Sequence, residues 1–128
     1  MNLQGRKIIV NKSAGELASM LRDPENYRAL MPDDLQKFET TADGFRFSIK
    51  GMPEVALKID EVTDQDIKLV SAMSGLDFKL DGKMTPAGEN QTEAQLLFEG
   101  KFNPFIRMMA EKPLKNFLDS LTDKIEKL

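Results

Sequence analysis

The chain has no cysteine, no histidine and no tryptophan, and it has a single tyrosine, Tyr27. Without cysteine there is no disulfide and no thiolate metal site, a composition that suits a reducing cytosol. Without histidine the usual general base, the usual zinc ligand and every Ser-His or Cys-His pair are gone. Long apolar runs are missing too. The opening MNLQGRKIIVNK holds only the three-residue run Ile8-Ile9-Val10, shorter than a signal-peptide core. Nothing approaches the ~20 apolar residues that span a bilayer. A basic face is also lacking: 18 Lys and Arg stand against 21 Asp and Glu, interspersed, for a net charge of -3. Such a balance offers no surface for neutralising phosphates, so nucleic acid is not an expected partner. The expectation is a cytoplasmic protein of one domain, residues 1–128, large enough to bury about two thirds of its unfolded surface without staples.

What is present has a clear order. LQGRKIIVN ends in β-branched residues and predicts a first strand. SAGE follows, with Ser13 and Glu16 at capping-box spacing, and predicts a short helix from Ala14 to Leu21 with Leu17, Met20 and Leu21 on one side. In DPENYRALMP, Asp23 is placed to cap, Pro24 fits the first helical position and Pro32 stops the segment, which predicts a second short helix.

From Gln36 to Gly100 the apolar period changes to two. FETTADGFRFSI reads as two strands about an Asp43-Gly44 turn, the second alternating Phe45, Phe47 and Ile49 with polar residues. VALKIDEV places Val55, Leu57 and Ile59 on one side, IKLVSAM places Ile67, Leu69, Ser71 and Met73, and LDFKLDGKM places Leu76, Phe78, Leu80 and Met84. TPAGENQT reads as a polar loop, and EAQLLFEG closes the set with Leu96 and Phe98 inward. Amphipathic strands with short connections are the signature of an antiparallel meander, and its oily face must curl around something.

Only the last segment remains to fill that face. Asn103 and Pro104 suit a helix start. Leu114, Phe117, Leu118, Leu121, Ile125 and Leu128 recur at spacings of three and four. Pro113 removes the amide that would bond to the Met109 carbonyl and clashes with it, so a break or sharp kink is expected near residues 110–113. The arm before it carries Phe105, Ile106, Met108 and Met109.

A strand, two short helices, six meandering strands and a long terminal helix resemble the helix-grip fold of the START/polyketide-cyclase superfamily (SRPBCC), to which the major birch pollen allergen belongs. LRDPENYRALMP is similar to the segment after the first helix in such proteins, with its D-P-x-x-Y start. The fold expected is therefore α+β: a curved antiparallel sheet of about seven strands around a long C-terminal helix, with two short helices after the first strand. The resemblance also implies a hollow between sheet and helix that takes an apolar or amphipathic small molecule.

Phe45, Phe47, Phe78, Phe98, Phe105, Met108, Met109 and Phe117 are the candidate lining of that hollow, since Met adapts to variable shapes. An oily face reads the same from sequence whether it is filled or hollow, and the same side chains would pack a solid core. Tyr27 is a candidate to offer its phenol at the mouth, or to pack its ring and leave the hydroxyl in water. Lys101, Arg107 and Lys112 flank the first arm and read as a ligand carboxylate site or as a solvated rim. Asp33-Asp34, Asp64-Asp66 and Asp77-Asp81 fit turn chemistry and solvation rather than a metal, with no calcium loop in the chain. No cofactor and no metal are expected. Strand carboxylates fall on the outward phase (Asp60, Asp77, Asp81), and only Glu61 shares the phase of Leu57 and Ile59. The expected function is non-catalytic binding of a hydrophobic or amphipathic small molecule. The alternatives are a cyclase or dehydratase of the same fold, and an interaction protein with a filled core, a homodimer through a sheet edge or the Met-rich arm.

Overall fold

The structure, a computed structural model, describes residues 1–128. The chain runs β1 (Asn2–Gln4), β2 (Ile8–Val10), α1 (Ala14–Leu21), a 3-10 helix (Pro24–Leu30), β3 (Leu35–Thr40), β4 (Gly44–Ile49), β5 (Val55–Val62), β6 (Asp66–Ser71), β7 (Asp77–Gly88), β8 (Gln91–Lys101) and α2 (Pro104–Glu126). All strands join one curved antiparallel sheet in the order β1-β8-β7-β6-β5-β4-β3, with β2 also on β8. β3 to β8 follow one another as the period-two pattern requires. The first strands pair with the last, and α2 packs across the inner face against β2, β8 and the 3-10 helix.

The helix starts form as their sequences dictate. Ser13 Oγ accepts the Glu16 amide at 3.2 Å, and the Glu16 carboxylate accepts the Ser13 amide at 3.3 Å, so two orphan donors are met reciprocally. Asp23 caps the 3-10 helix by accepting the Glu25 amide at 3.0 Å. This short pair closes one end of the sheet, where Leu17, Leu21, Tyr27 and Leu30 are all buried.

Four local expectations change. The first strand is two strands, because Gly5 interrupts it: its amide donates to the Leu96 carbonyl at 2.8 Å, and a Cβ there would stand 3.0 Å from Thr122 Oγ1. Glycine lets the chain pass close to α2 at that point, and the strand total rises to eight. TPAG is strand, not loop. β7 and β8 form a long hairpin whose turn holds Asn90 at φ 56°, a left-handed conformation that Asn tolerates. Pro86 is admitted there because β6 begins only at Asp66, opposite Lys83, so that flank of β7 presents no ladder carbonyl in need of the amide that Pro86 lacks.

The third change concerns Glu61. A bulge between Ile59 and Glu61 shifts the β5–β6 register, and a one-residue shift reverses which side chains face inward. Glu61 turns to the outer face, where its carboxylate lies 3.6 Å from Lys68 Nζ, and Val62 packs against the core instead. The outer face carries further pairs, exposed Lys79 to Glu99 at 3.2 Å and Lys83 to the half-buried Asp66 at 2.6 Å. Each such pair contributes at most about 1 kcal/mol.

The fourth change is in α2, which is unbroken through Pro113. No residue from 104 to 116 is buried. Met109 is exposed, so water can replace the amide donor that Pro113 withholds from its carbonyl. The buried residues of the helix are Phe117, Leu118, Leu121, Thr122 and Ile125, all in its second half.

Tyr27 sits at the closed end with its hydroxyl neither at a cavity mouth nor in water. It donates to the Leu21 carbonyl at 2.8 Å, and its ring stacks on Phe45 at 4.6 Å. Burial pushes the phenol above its ordinary value of 10.0 by disfavouring the phenolate. The folded chain therefore keeps a proton that the unfolded chain releases. This contribution to stability is whole below about pH 10 and is lost as pH rises further. Tyr27→Phe is expected to cost about 1 kcal/mol at neutral pH, the worth of one net hydrogen bond. Denaturation of both proteins at rising pH should show that gap closing in the alkaline range; a gap that widens there contradicts the assignment. With one Tyr and no Trp in the chain, phenolate absorbance follows this group alone.

Candidate functional site

At the end of the sheet opposite the helical pair, the inner face is not filled. A cavity of about 310 Å³ lies between strands β4, β5, β7 and β8, the loops around Met52 and Met73, and α2 from Ile106 to Phe117. Period two brings Phe47 from β4, Leu57 from β5, Phe78 and Leu80 from β7, and Phe98 from β8 to one wall. Helical period brings Ile106, Met109, Ala110, Pro113, Leu114 and Phe117 to the other, at i, i+3, i+4, i+7, i+8 and i+11.

Two aromatic groups brace the walls. Phe47 and Phe117 stack at 5.2 Å with their planes 13° apart, joining β4 to α2. Phe78 and Phe98 stack at 5.7 Å, and Phe102 tilts against both at 6.4 and 6.3 Å. Phe102 can fold back over β8 because Gly100 has no side chain: a Cβ there would lie 2.8 Å from the Phe102 ring. Stacked rings at these separations contribute about 0.5–1.5 kcal/mol each beyond their buried area.

The lining is nearly uniform in chemistry. Of its 19 residues 15 are hydrophobic, and Glu54 is the sole ionisable one. The Glu54 carboxylate stands 3.9 Å from Lys37 Nζ with its side chain 45% exposed, so it belongs to the rim. No buried acid or base, and no pair of titratable groups, faces the interior. No group of three or more His, Cys, Asp or Glu is placed to hold a metal ion, and no helix is long and apolar enough to cross a membrane.

Five of the residues expected to line a hollow meet around this cavity: Phe47, Phe78, Phe98, Met109 and Phe117. The other four lie elsewhere. Tyr27 and Phe45 are packed at the closed end, 4% and 1% exposed. Phe105 and Met108 point to solvent, 67% and 74% exposed. They sit one residue out of phase with Ile106 and Met109, and on a helix one residue is a rotation of about 100°. Met52, Met73, Phe102 and Ile106 line the cavity without having been expected to. Phe102 shares the parity of Phe98 and Gly100, a signal that was there to be read. Met52 comes from a loop, where no period exists, and Met73, which shares the parity of Leu69 and Ser71, lies beyond the end of β6.

Phe117 is both core and wall. Phe117→Ala is expected to destabilise the fold by about 3–5 kcal/mol, the range for truncating a buried aromatic. Chemical denaturation checks this, and a loss under about 1 kcal/mol would remove Phe117 from the core.

No protein-family model matches the chain, and no curated protein matches it. Solved structures do. A START superfamily protein from Mycobacterium smegmatis superposes with a TM-score of 0.65 at 14% identity, over 98% of this chain and 97% of that one. Norcoclaurine synthase from Thalictrum flavum, solved in complex with dopamine and hydroxybenzaldehyde, superposes with a TM-score of 0.71 at 16% identity, over 99% and 84%. A protein of Thermus thermophilus gives a TM-score of 0.72 at 14% identity, over 99% and 95%. At such identities the likeness is one of architecture. The chain has the helix-grip fold of START superfamily proteins and of norcoclaurine synthase.

Proposed function

We propose that the protein binds an apolar small molecule, without transforming it, in the cavity between the sheet and α2. One observation carries this reading: a cavity of about 310 Å³ whose lining is hydrophobic except for Gly51, Pro53, Pro113 and the rim residue Glu54. Its size falls at the lower end of the roughly 300–1,000 Å³ typical of ligand pockets. The cavity is open to solvent along Met109, and an apolar guest that covers its wall takes apolar surface out of water at a gain. Acid-base chemistry needs a titratable group within hydrogen-bond reach of the reacting atoms. The wall supplies none, and the bulge in β5 has carried Glu61 away.

With orientation set by shape alone, selectivity is broad and affinity micromolar rather than nanomolar. A panel of fatty acids, polycyclic aromatics and a fluorescent apolar dye tests this, and native mass spectrometry of protein from its own source tests for a retained molecule. Met109 lines the cavity yet is 64% exposed. Met109→Ala should therefore change probe affinity while leaving the denaturation midpoint nearly unmoved. A folded protein that takes up no member of the panel would end the binding reading.

The exposure of Phe105 and Met108 favours a second reading, association of two copies through the first half of α2. Sedimentation at rising protein concentration checks it. Phe105→Ser with Met108→Ser should abolish any dimer and leave cavity binding intact, and a monomer at all concentrations sets the reading aside.

A further inference from the structure

Beside the apolar cavity lies a second hollow of about 260 Å³ whose lining mixes apolar residues with five polar or charged ones. The two share a wall made of Gly51, Met52, Pro113 and Phe117. On its far side stand Lys50, Lys112, Asn116, Ser120 and Asp34. Lys112, Asn116 and Ser120 recur at i, i+4 and i+8, so they form one polar row along α2. Lys50 follows β4, and its amide donates to the Asp34 carbonyl at 3.3 Å, which ties its backbone to the segment before β3.

The two lysines are uncommitted. Neither takes part in any ion pair of the structure, whereas nearby Lys124 is engaged by Asp33 at 2.6 Å. Two ammonium groups against the single carboxylate of Asp34 leave one positive charge in excess. Asn116 and Ser120 add a side-chain amide and a hydroxyl that can donate. One surplus positive charge with neutral donors matches a monoanion. A doubly charged phosphate would overshoot it and meet Asp34.

We propose that this polar hollow is the head-group subsite for an amphipathic carboxylate whose apolar body occupies the cavity, with Lys50 and Lys112 as the charged partners. The inference rests on the cavity being a binding site, and it narrows the guest from any apolar molecule to one with a carboxylate at one end. Because Gly51, Met52, Pro113 and Phe117 line both hollows, the two lie side by side, and the proposed guest would rest its body against Phe117 and carry its head past Pro113 to the polar row.

The test uses three compounds of equal chain length, decanoate, decanol and decyltrimethylammonium, each titrated calorimetrically into the intact protein at neutral pH below its micelle concentration. Decanoate is expected to bind about three- to tenfold more tightly than decanol, the scale of one or two partly solvated charge contacts. That advantage should shrink with added salt. In the Lys50→Gln, Lys112→Gln double variant it should disappear while decanol affinity stays the same. Both lysines are exposed, so the variant is expected to fold, and circular dichroism verifies it. Equal binding of decanoate and decanol, preference for the ammonium compound, or an advantage that survives in the variant would each overturn the subsite and leave the cavity reading standing. Failure of all three compounds to bind would overturn both.

Discussion

One helix has to cover a sheet that is wider than it is. Seven strands lie side by side in the main path, which at about 4.8 Å per spacing is about 29 Å across before curvature. A helix with its side chains is about 10–12 Å wide. At one end of the strands the shortfall is made up by α1 and the 3-10 helix, which sit on Phe45, Ile67 and Met84 and complete a core of 24 buried residues. At the other end α2 is alone. Curvature of the sheet and inward-pointing Phe side chains narrow the gap there but do not close it, and the cavity is what remains.

The two ends differ in how polar groups are treated, and that difference decides what each can do. At the closed end the polar groups are paired: the Tyr27 hydroxyl with Leu21, the Thr122 hydroxyl with the Leu118 carbonyl at 2.8 Å, and the Thr92 hydroxyl with the Lys12 carbonyl at 2.7 Å. These bonds fix the packing in one arrangement. A row of aromatic rings then runs from Tyr27 through Phe45 and Phe47 to Phe117, with centroids 4.6, 6.0 and 5.2 Å apart. It ends at the cavity wall, so the rigid end positions the hollow one. At the open end the inner wall has almost nothing polar to pair, and Met109 beside the cavity is solvent-exposed. The same architecture in norcoclaurine synthase accompanies bound dopamine and hydroxybenzaldehyde. What a protein of this fold does is written in its lining.

Much of this was readable beforehand because it depends on local chemistry. The capping box at Ser13, the Asp23 cap, the alternation in β4 and in β6 to β8, and the stripe from Leu114 to Ile125 each follow from short-range rules, and each appears in the structure. Where reading failed, a contact between distant residues had intervened. Gly5 divides the first strand because Thr122 lies against it. The bulge in β5 is a matter of register with β6, and it reverses Glu61 without any mark in VALKIDEV. The expected break at Pro113 had a further cost. Continuing the stripe of the second half back through an unbroken helix puts Ile106 beside it and Phe105 nearly opposite, with Met108 and Met109 on its two flanks. A break severs that phase, and all four then look alike.

By itself the sequence determined which side chains share a face, since periods of 2.0 and 3.6 are properties of the backbone and need no partner. It determined the order and pairing of the meandering strands as well, because short connections leave few alternatives. Whether the common apolar face would be filled was decided only in the tertiary structure. Filling is set by the width of the sheet against the width of the helix, by where the helical pair comes to rest, and by how far along α2 the packing extends. These are distances between elements remote in the chain, and no local pattern of residues encodes them. Phe45 and Phe47, two residues apart on one strand and alike in every sequence property, show the consequence: one is sealed beneath Tyr27, and the other borders an open cavity.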